Sequence, residues 1–414
     1  MPGIHRTRPR FASVAAATDA PAVALGDDIW MSSGWSNSYL LGTDEGRVVL
    51  NTGMGFEGPL HRRAYDAVDP SPVRAVVLTQ GHYDHVGGVD VVRDPDSDVV
   101  AQANFVTWRD DNERLEAFRS RNSAFAFMDA IVAAMDHARS VGVGHVAQAR
   151  PEPTLVVDDR MTLTVGGRTM ELIATPGGET FDSMVVWLPE SRTLFSGNLF
   201  GPLFGHVPNL VTIRGDRYRD ALVYIDSLDV VHELAPERLI TGHFDPIDGA
   251  DRIGEAVSEL QDAMRWVHDR TVDGMNAGAD VHALMAEIRT PEHLDVGEGY
   301  GQTRWNVRAI WENYAGWFHH RSTTELYAVA PLATAPDVVA LAGAAPLVAA
   351  ARAHLDDGRA VEALQLTDLV LAAVPDDADA RLVARDATAT LLERTDNFWE
   401  SAWLRRSMAK LEDR

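Results

Sequence analysis

Residues 78–88 read Leu-Thr-Gln-Gly-His-Tyr-Asp-His-Val-Gly-Gly. An apolar run ending at Thr79 is followed at once by two imidazoles and a carboxylate, His82, Asp84 and His85, which a tight loop can turn toward one cation. Neutral nitrogen and anionic oxygen donors suit zinc or another borderline divalent ion. The chain contains no cysteine, so disulfides, thiolate ligands and cysteine nucleophiles are excluded, and any metal is held by His, carboxylate or amide oxygen. A water bound to such a cation has its pKa drawn from about 15.7 toward about 7, which supplies hydroxide without a Ser or Cys nucleophile. The expected chemistry is hydrolysis, with Asp84 both ligating the cation and orienting the attacking oxygen.

The elements that must carry this loop are legible around it. Short β-rich runs separated by Gly, Asp and Pro extend from Ile29 to about Phe244: 38–41, 47–50, 75–79, 98–101, 161–165, 170–174, 184–188, 193–195 and 238–241. Several are continuously apolar, as in Val76-Val77-Leu78 and Val185-Val186-Trp187, which suits strands covered on both faces. Helical spacing lies between them at about 113–140 and 218–234, so this half is mixed α/β. After Asp245-Pro246 the strands are expected to cease. Residues 253–272, 281–288, 303–317 and the chain from about Pro336 read as helix, including a hairpin over 359–374 and 378–392. The spacing thus divides the chain into an N-terminal extension (1–28), an α/β catalytic domain (29–249) and an all-α helical domain (250–414). The extension, with Arg6, Arg8 and Arg10 before a short apolar stretch, reads as a frayed cytoplasmic terminus rather than a signal peptide.

The ligand loop resembles the signature of the metallo-β-lactamase superfamily, Thr-His-x-His-x-Asp-His before Gly-Gly, with Gln80 where the first His stands. Asn51-Thr52-Gly53, Thr175-Pro176-Gly177, Ser196-Gly197-Asn198 and Thr241-Gly242-His243 are similar to that family's later landmarks, in order. The resemblance implies an αββα sandwich. Within the superfamily the alkylsulfatase branch is closer: Glu179 follows Thr-Pro-Gly-x as its ligand Glu does, residues 209–215 (Asn-Leu-Val-Thr-Ile-Arg-Gly) resemble its Asn-Leu-Tyr-Thr-Leu-Arg-Gly, and Tyr300-Gly301, 306–309 and 314–317 resemble the start of its dimerisation domain.

By this resemblance two divalent metal ions are implied, with zinc first and manganese or iron as alternatives. One would take Gln80, His82 and Glu179, the other Asp84, His85 and His243, with Asn198 between them. The second set holds three orthodox donors; the first is weaker or prefers a harder cation. Gln80 is either a ligand or a hydrogen-bond partner of bound water. Arg214 is expected to bind an anionic substrate and stabilise its transition state, with paired guanidinium donors; a surface salt bridge is its alternative. Asn209 donates to the same anion or caps a helix, and Tyr83, Trp35 and His206 are candidate pocket residues.

The composition narrows the field of partners. Lys plus Arg number 37 against 61 Asp plus Glu, a net charge of −24, which disfavours nucleic acid and anionic membranes. No run approaches the roughly 20 apolar residues of a membrane span. The aromatic residues of 305–318 point to a homodimer. In the alkylsulfatases a sterol-carrier-like domain that gathers aliphatic substrate usually follows; here the sequence stops at Arg414, so a sulfate ester, or related ester, of a small organic molecule is expected. An iron- or manganese-dependent relative doing redox or elimination chemistry, and a non-catalytic binding or dimerisation module, are the competing readings.

Overall fold

The computed structural model describes residues 3–412. Two sheets lie in sequence along the chain. The first joins β1 (Val23–Gly26), β2 (Ile29–Ser32), β3 (Ser38–Thr43), β4 (Gly46–Leu50), β5 (Val73–Val77), β6 (Asp98–Gln102) and β7 (Leu155–Val157) in that order. The second joins β8 (Arg160–Val165), β9 (Arg168–Ala174), β10 (Met184–Leu188), β11 (Thr193–Gly197), β12 (Arg238–Thr241) and β13 (Ile247–Asp248), again as spatial neighbours. Pairing is antiparallel through β4 and parallel from β4 to β7. In the second sheet only β11 and β12 run parallel.

The two-residue period of the strands explains the layering. Val48 and Leu50 of β4 meet Met184, Val186 and Leu188 of β10 in the core between the sheets. Val49 faces the other way with Tyr65, Val89 and Phe105, while Val185 and Trp187 face Tyr224, Ile225, Leu228 and Leu260. Both sheets are therefore covered on both faces, which is why these strands read as unbroken apolar runs. The result is the αββα sandwich implied by the resemblance, followed by a helical region.

Two expectations are corrected. Strand structure persists past Pro246, since β13 pairs with β12 through Leu239 and Ile247. By contacts the chain falls into two compact units that part between Tyr314 and Ala315, well past Gly249. The physical reason is that helix Ala250–Asn276 lays Ile253, Val257, Leu260, Met264 and Val267 into the same core as helix Ala221–Leu234, joined there by Val307, Ile310 and Trp311. The N-terminal extension is also not frayed: Ile4, Phe11 and Ala17 are buried, and two single-turn helices form at Ile4–Arg6 and Phe11–Ser13.

The second unit is built from helices Ala335–Ala342, Ala344–Asp356, Ala360–Ala373, Ala378–Leu392 and Phe398–Glu412. The expected hairpin is present, and its core is made of small residues, Ala351, Ala363, Ala380 and Ala387 with Val370 and Val383. Among the described residues no single helix is long and apolar enough to cross a membrane; one bent pair, Ala335–Ala342 with Ala344–Asp356, meets the length and composition of a span.

Candidate metal centre

The ligand loop leaves the end of β5 and closes into a one-turn helix, Tyr83–Val86. It is held from behind by the turn that ends β4. Asn51 adopts a left-handed conformation (φ 56°), and its Oδ1 accepts from the Thr79 amide at 3.0 Å. The Thr52 amide donates to His85 O at 2.8 Å. A Cβ at Gly88 would lie 2.3 Å from Thr52 O, so glycine is what lets the loop and the turn approach so closely. From the second sheet, β11 delivers Asn198 after Gly197 (φ 50°) and β12 delivers His243 after Gly242. A Cβ at Gly242 would stand 2.2 Å from Asn198 Oδ1.

All seven expected ligand positions meet in one chain of contacts. His85 Nε2 lies 3.7 Å and His243 Nε2 3.9 Å from Asp84 Oδ2. Asn198 Nδ2 is 3.2 Å from His243 Nε2 and 2.7 Å from Glu179 Oε2. His82 Nδ1 is 3.5 Å from that same oxygen and 2.9 Å from Gln80 Nε2. The ligand atoms of Asp84, His85 and His243 all lie within 4.8 Å of one another.

The surroundings of these three fix the state of each ring. His243 Nδ1 can only donate to the main-chain oxygen of Trp35, at 2.6 Å, which leaves Nε2 as the acceptor, 3.2 Å from Asn198 Nδ2 and 3.9 Å from Asp84 Oδ2. His85 Nδ1 meets Ser36 Oγ at 3.0 Å, and that hydroxyl donates onward to Gly242 O at 3.2 Å. His85 therefore donates from Nδ1, and its buried Nε2 has no hydrogen-bond partner. Burial holds both rings neutral, lowering His85 to about 3 and His243 to about 4. A divalent cation is what such converging lone pairs fit, and this set accepts one well.

The other set fits less well. Gln80 Oε1 accepts from the Asn198 amide at 3.2 Å, which turns its Nε2 donor onto His82 Nδ1. Arg214, an obligate donor, approaches His82 Nε2 at 3.1 Å. His82 Nδ1 also faces the Glu179 carboxylate at 3.5 Å, so a neutral ring donates from Nδ1 and accepts from Arg214 at Nε2, which leaves neither nitrogen with a lone pair free for a cation. Burial alone would raise the Glu179 carboxyl, but His82, Arg219 and Arg214 bring it well below its usual range. A cation here would have Glu179 as its one charged ligand.

A cavity of about 340 Å³ opens over the cluster, lined by His82, Tyr83, Asp84, Glu179, Asn198 and His243. Arg214 enters it beside Asp216, 3.8 Å away, which also pairs with Arg119 at 3.2 Å. Burial works against the Arg214 charge, yet Tyr300, Asp216, Glu179 and Asp84 raise its pKa above the usual value. Phe11, Trp35, Met54, Phe127 and Tyr300 make the apolar wall. Asn209 lies outside this lining, fully buried, with its main-chain oxygen accepting from Arg219. His206 is also outside, since it donates from Nε2 to His5 O and accepts at Nδ1 from the Gly299 amide.

Ser36 and Glu57 escaped the sequence reading. Glu57 is buried and takes three main-chain amides at 2.8 Å, those of Ala17, Trp35 and Met54. It thereby ties the N-terminal extension to the Trp35 loop that orients His243. A lone Ser after Trp35 and a Glu at a helix start carry no signal of such roles.

Residues 34–243, half of the chain, match the family described as the metallo-beta-lactamase superfamily. The chain belongs to the metallo-beta-lactamase superfamily. A second family, described as alkyl sulfatase dimerisation, matches residues 281–413. The linear primary-alkylsulfatase of Pseudomonas sp. (strain ATCC 19151) is 27% identical over 334 residues, covering 75% of this chain and 62% of that protein. The (R)-specific secondary-alkylsulfatase of Pseudomonas sp. is 27% identical over 412 residues, 90% of this chain and 59% of that protein. This superfamily member therefore spans about three fifths of the length of these curated relatives. A solved stereoselective inverting sec-alkylsulfatase from Pseudomonas sp. superposes with a TM-score of 0.82 at 23% identity, over 95% of this chain and 66% of that one. That likeness extends the shared fold from the sandwich through the helical region.

Proposed function

We propose that the chain is a metal-dependent hydrolase acting on a sulfate ester, or a related ester, of a small organic molecule. The observation that carries the reading is the convergence of Asp84, His85 and His243 within 4.8 Å on a cavity that also holds the Arg214 guanidinium. When bound, the cation supplies Lewis acidity and lowers the pKa of its water from about 15.7 toward about 7, so that hydroxide is available. Asp84, at the edge of the cavity, would hold the cation and orient the attacking water. Arg214 offers paired donors to the oxygens of the ester and stabilises charge that grows on them in the transition state. Apolar groups around the cavity exclude bulk water, which strengthens each of these interactions.

Zinc suits the two-His, one-carboxylate set, and the Gln80–His82–Glu179 set is the weaker site. The amide and carboxylate donors of the weaker set also suit manganese or iron. Elemental analysis of purified protein, followed by a screen over sulfate esters, lactones, thioesters and phosphodiesters, tests the reading. Turnover of sulfate esters that is lost with chelator and restored by zinc is expected; activity on another ester alone overturns the substrate, and metal-free protein with full activity overturns the mechanism. The dimerisation match, with Trp317, Leu326, Tyr327 and Leu341 exposed, supports a homodimer formed through the helical region.

A further inference from the structure

Phe11 stands before the first strand, in the N-terminal segment. Its ring is 7% exposed, lines the cavity, and packs edge-on against His243 at 5.7 Å and Tyr300 at 4.8 Å. The segment is pinned on either side of it. Upstream, Ile4 is buried in the core beside Phe204, and Arg8 donates to Asp245 O at 2.9 Å, Thr241 Oγ1 at 3.1 Å and His243 O at 3.3 Å. Downstream, Ala17 is buried with Phe56 and Leu60, and its amide donates to Glu57 at 2.8 Å.

A side chain fixed at three points around it cannot swing aside without breaking buried contacts. We infer that residues 4–17 form a fixed wall of the substrate cavity and that Phe11 is a specificity-determining residue, limiting the length of the organic group that the cavity accepts beside its anion. The inference rests on the sulfate-ester reading. Arg214 approaches the centre at His82 and Phe11 at His243, so a bound sulfate ester is held by charge from one ligand and bounded by an aromatic ring at another. An apolar pocket gains about fourfold in affinity for each methylene it buries, and gains nothing from methylenes that meet a rigid wall.

The test is calorimetric titration of the zinc-loaded protein with n-alkyl sulfonates of increasing length, which mimic the ester without being hydrolysed. Expected for the unaltered protein is a climb of about fourfold per methylene that stops at a definite length. Phe11→Ala should extend that limit by two or more methylenes, and Phe11→Trp should shorten it, with bound zinc unchanged in both. Phe11→Leu, which keeps an apolar plug, serves if the alanine variant melts. Sulfonate binding with one length limit in all variants overturns the role of Phe11 and leaves the sulfate-ester reading standing. No sulfonate binding by any of the proteins sinks that reading and this inference together.

Discussion

The Nδ1 hydrogen of His243 is given to the main-chain oxygen of Trp35 across 2.6 Å, and this contact decides which nitrogen of the ring is left for a cation. With His85 oriented in the same sense, the Asp84 set should bind a cation more tightly than the Gln80–His82–Glu179 set. His85→Ala and His243→Ala should each lose most of the bound metal, whereas Gln80→Ala loses less. Equal metal content by mass spectrometry in all three variants would reverse the ranking.

Ser36 holds the His85 ring through a hydroxyl that also reaches Gly242 O. Partners of this kind typically carry 10–100-fold of metal affinity. Ser36→Ala should weaken zinc by roughly that factor while the circular dichroism spectrum stays unchanged. An unaltered zinc Kd in a chelator competition would show that packing alone aligns the ring.

Acid should destabilise the metal-free protein. Burial lowers His61 and His85 to about 3, and His206 and His243 to about 4. The unfolded chain takes up these protons near pH 6.5 and the native one does not. Stability contributed by these groups is therefore complete above about pH 6.5 and falls as pH drops toward 4, by up to about 1.4 kcal/mol per group per pH unit. Glu57, raised by burial to about 7, and Asp182, raised to about 6, act in the opposite sense; four groups outweigh two. Urea midpoints measured from pH 7 to 4.5 should decline, and less steeply in His61→Gln. A flat profile would contradict neutral burial of these rings.

The homodimer should scatter light with twice the 45.2 kDa of one chain. Trp317 and Tyr327 are 69% and 66% exposed in the chain by itself, and large apolar groups left so open are characteristic of covered surfaces. The double variant Trp317→Asp, Tyr327→Asp should run as a monomer with unchanged helix content. A 45.2 kDa particle at micromolar concentration for the unaltered protein would refute association.

How far the sequence could be read depended on distance along the chain. His82, Asp84 and His85 sit in one loop, so their closeness could be expected without a structure, and the doubly covered strands announced themselves as apolar runs. Ser36 touches His85 and Trp35 touches His243 only after 49 and 208 residues of intervening chain have folded back; nothing local marks them. Phe11 was hidden for a different reason. A short apolar stretch behind three arginines looks frayed until the groove that receives it exists. Helix Ala250–Asn276 packs into the core of the sandwich beyond Gly249, and an amphipathic helix bears the same pattern whether it covers a sheet or founds a new domain.

The two sheets follow one another in the chain, joined covalently through Asp158 and Asp159 between β7 and β8. Gln80, His82, Asp84 and His85 come from the first half, Glu179, Asn198 and His243 from the second. Neither half holds all of either candidate set, so a cation bound there would depend on two separately wound pieces of polypeptide being docked.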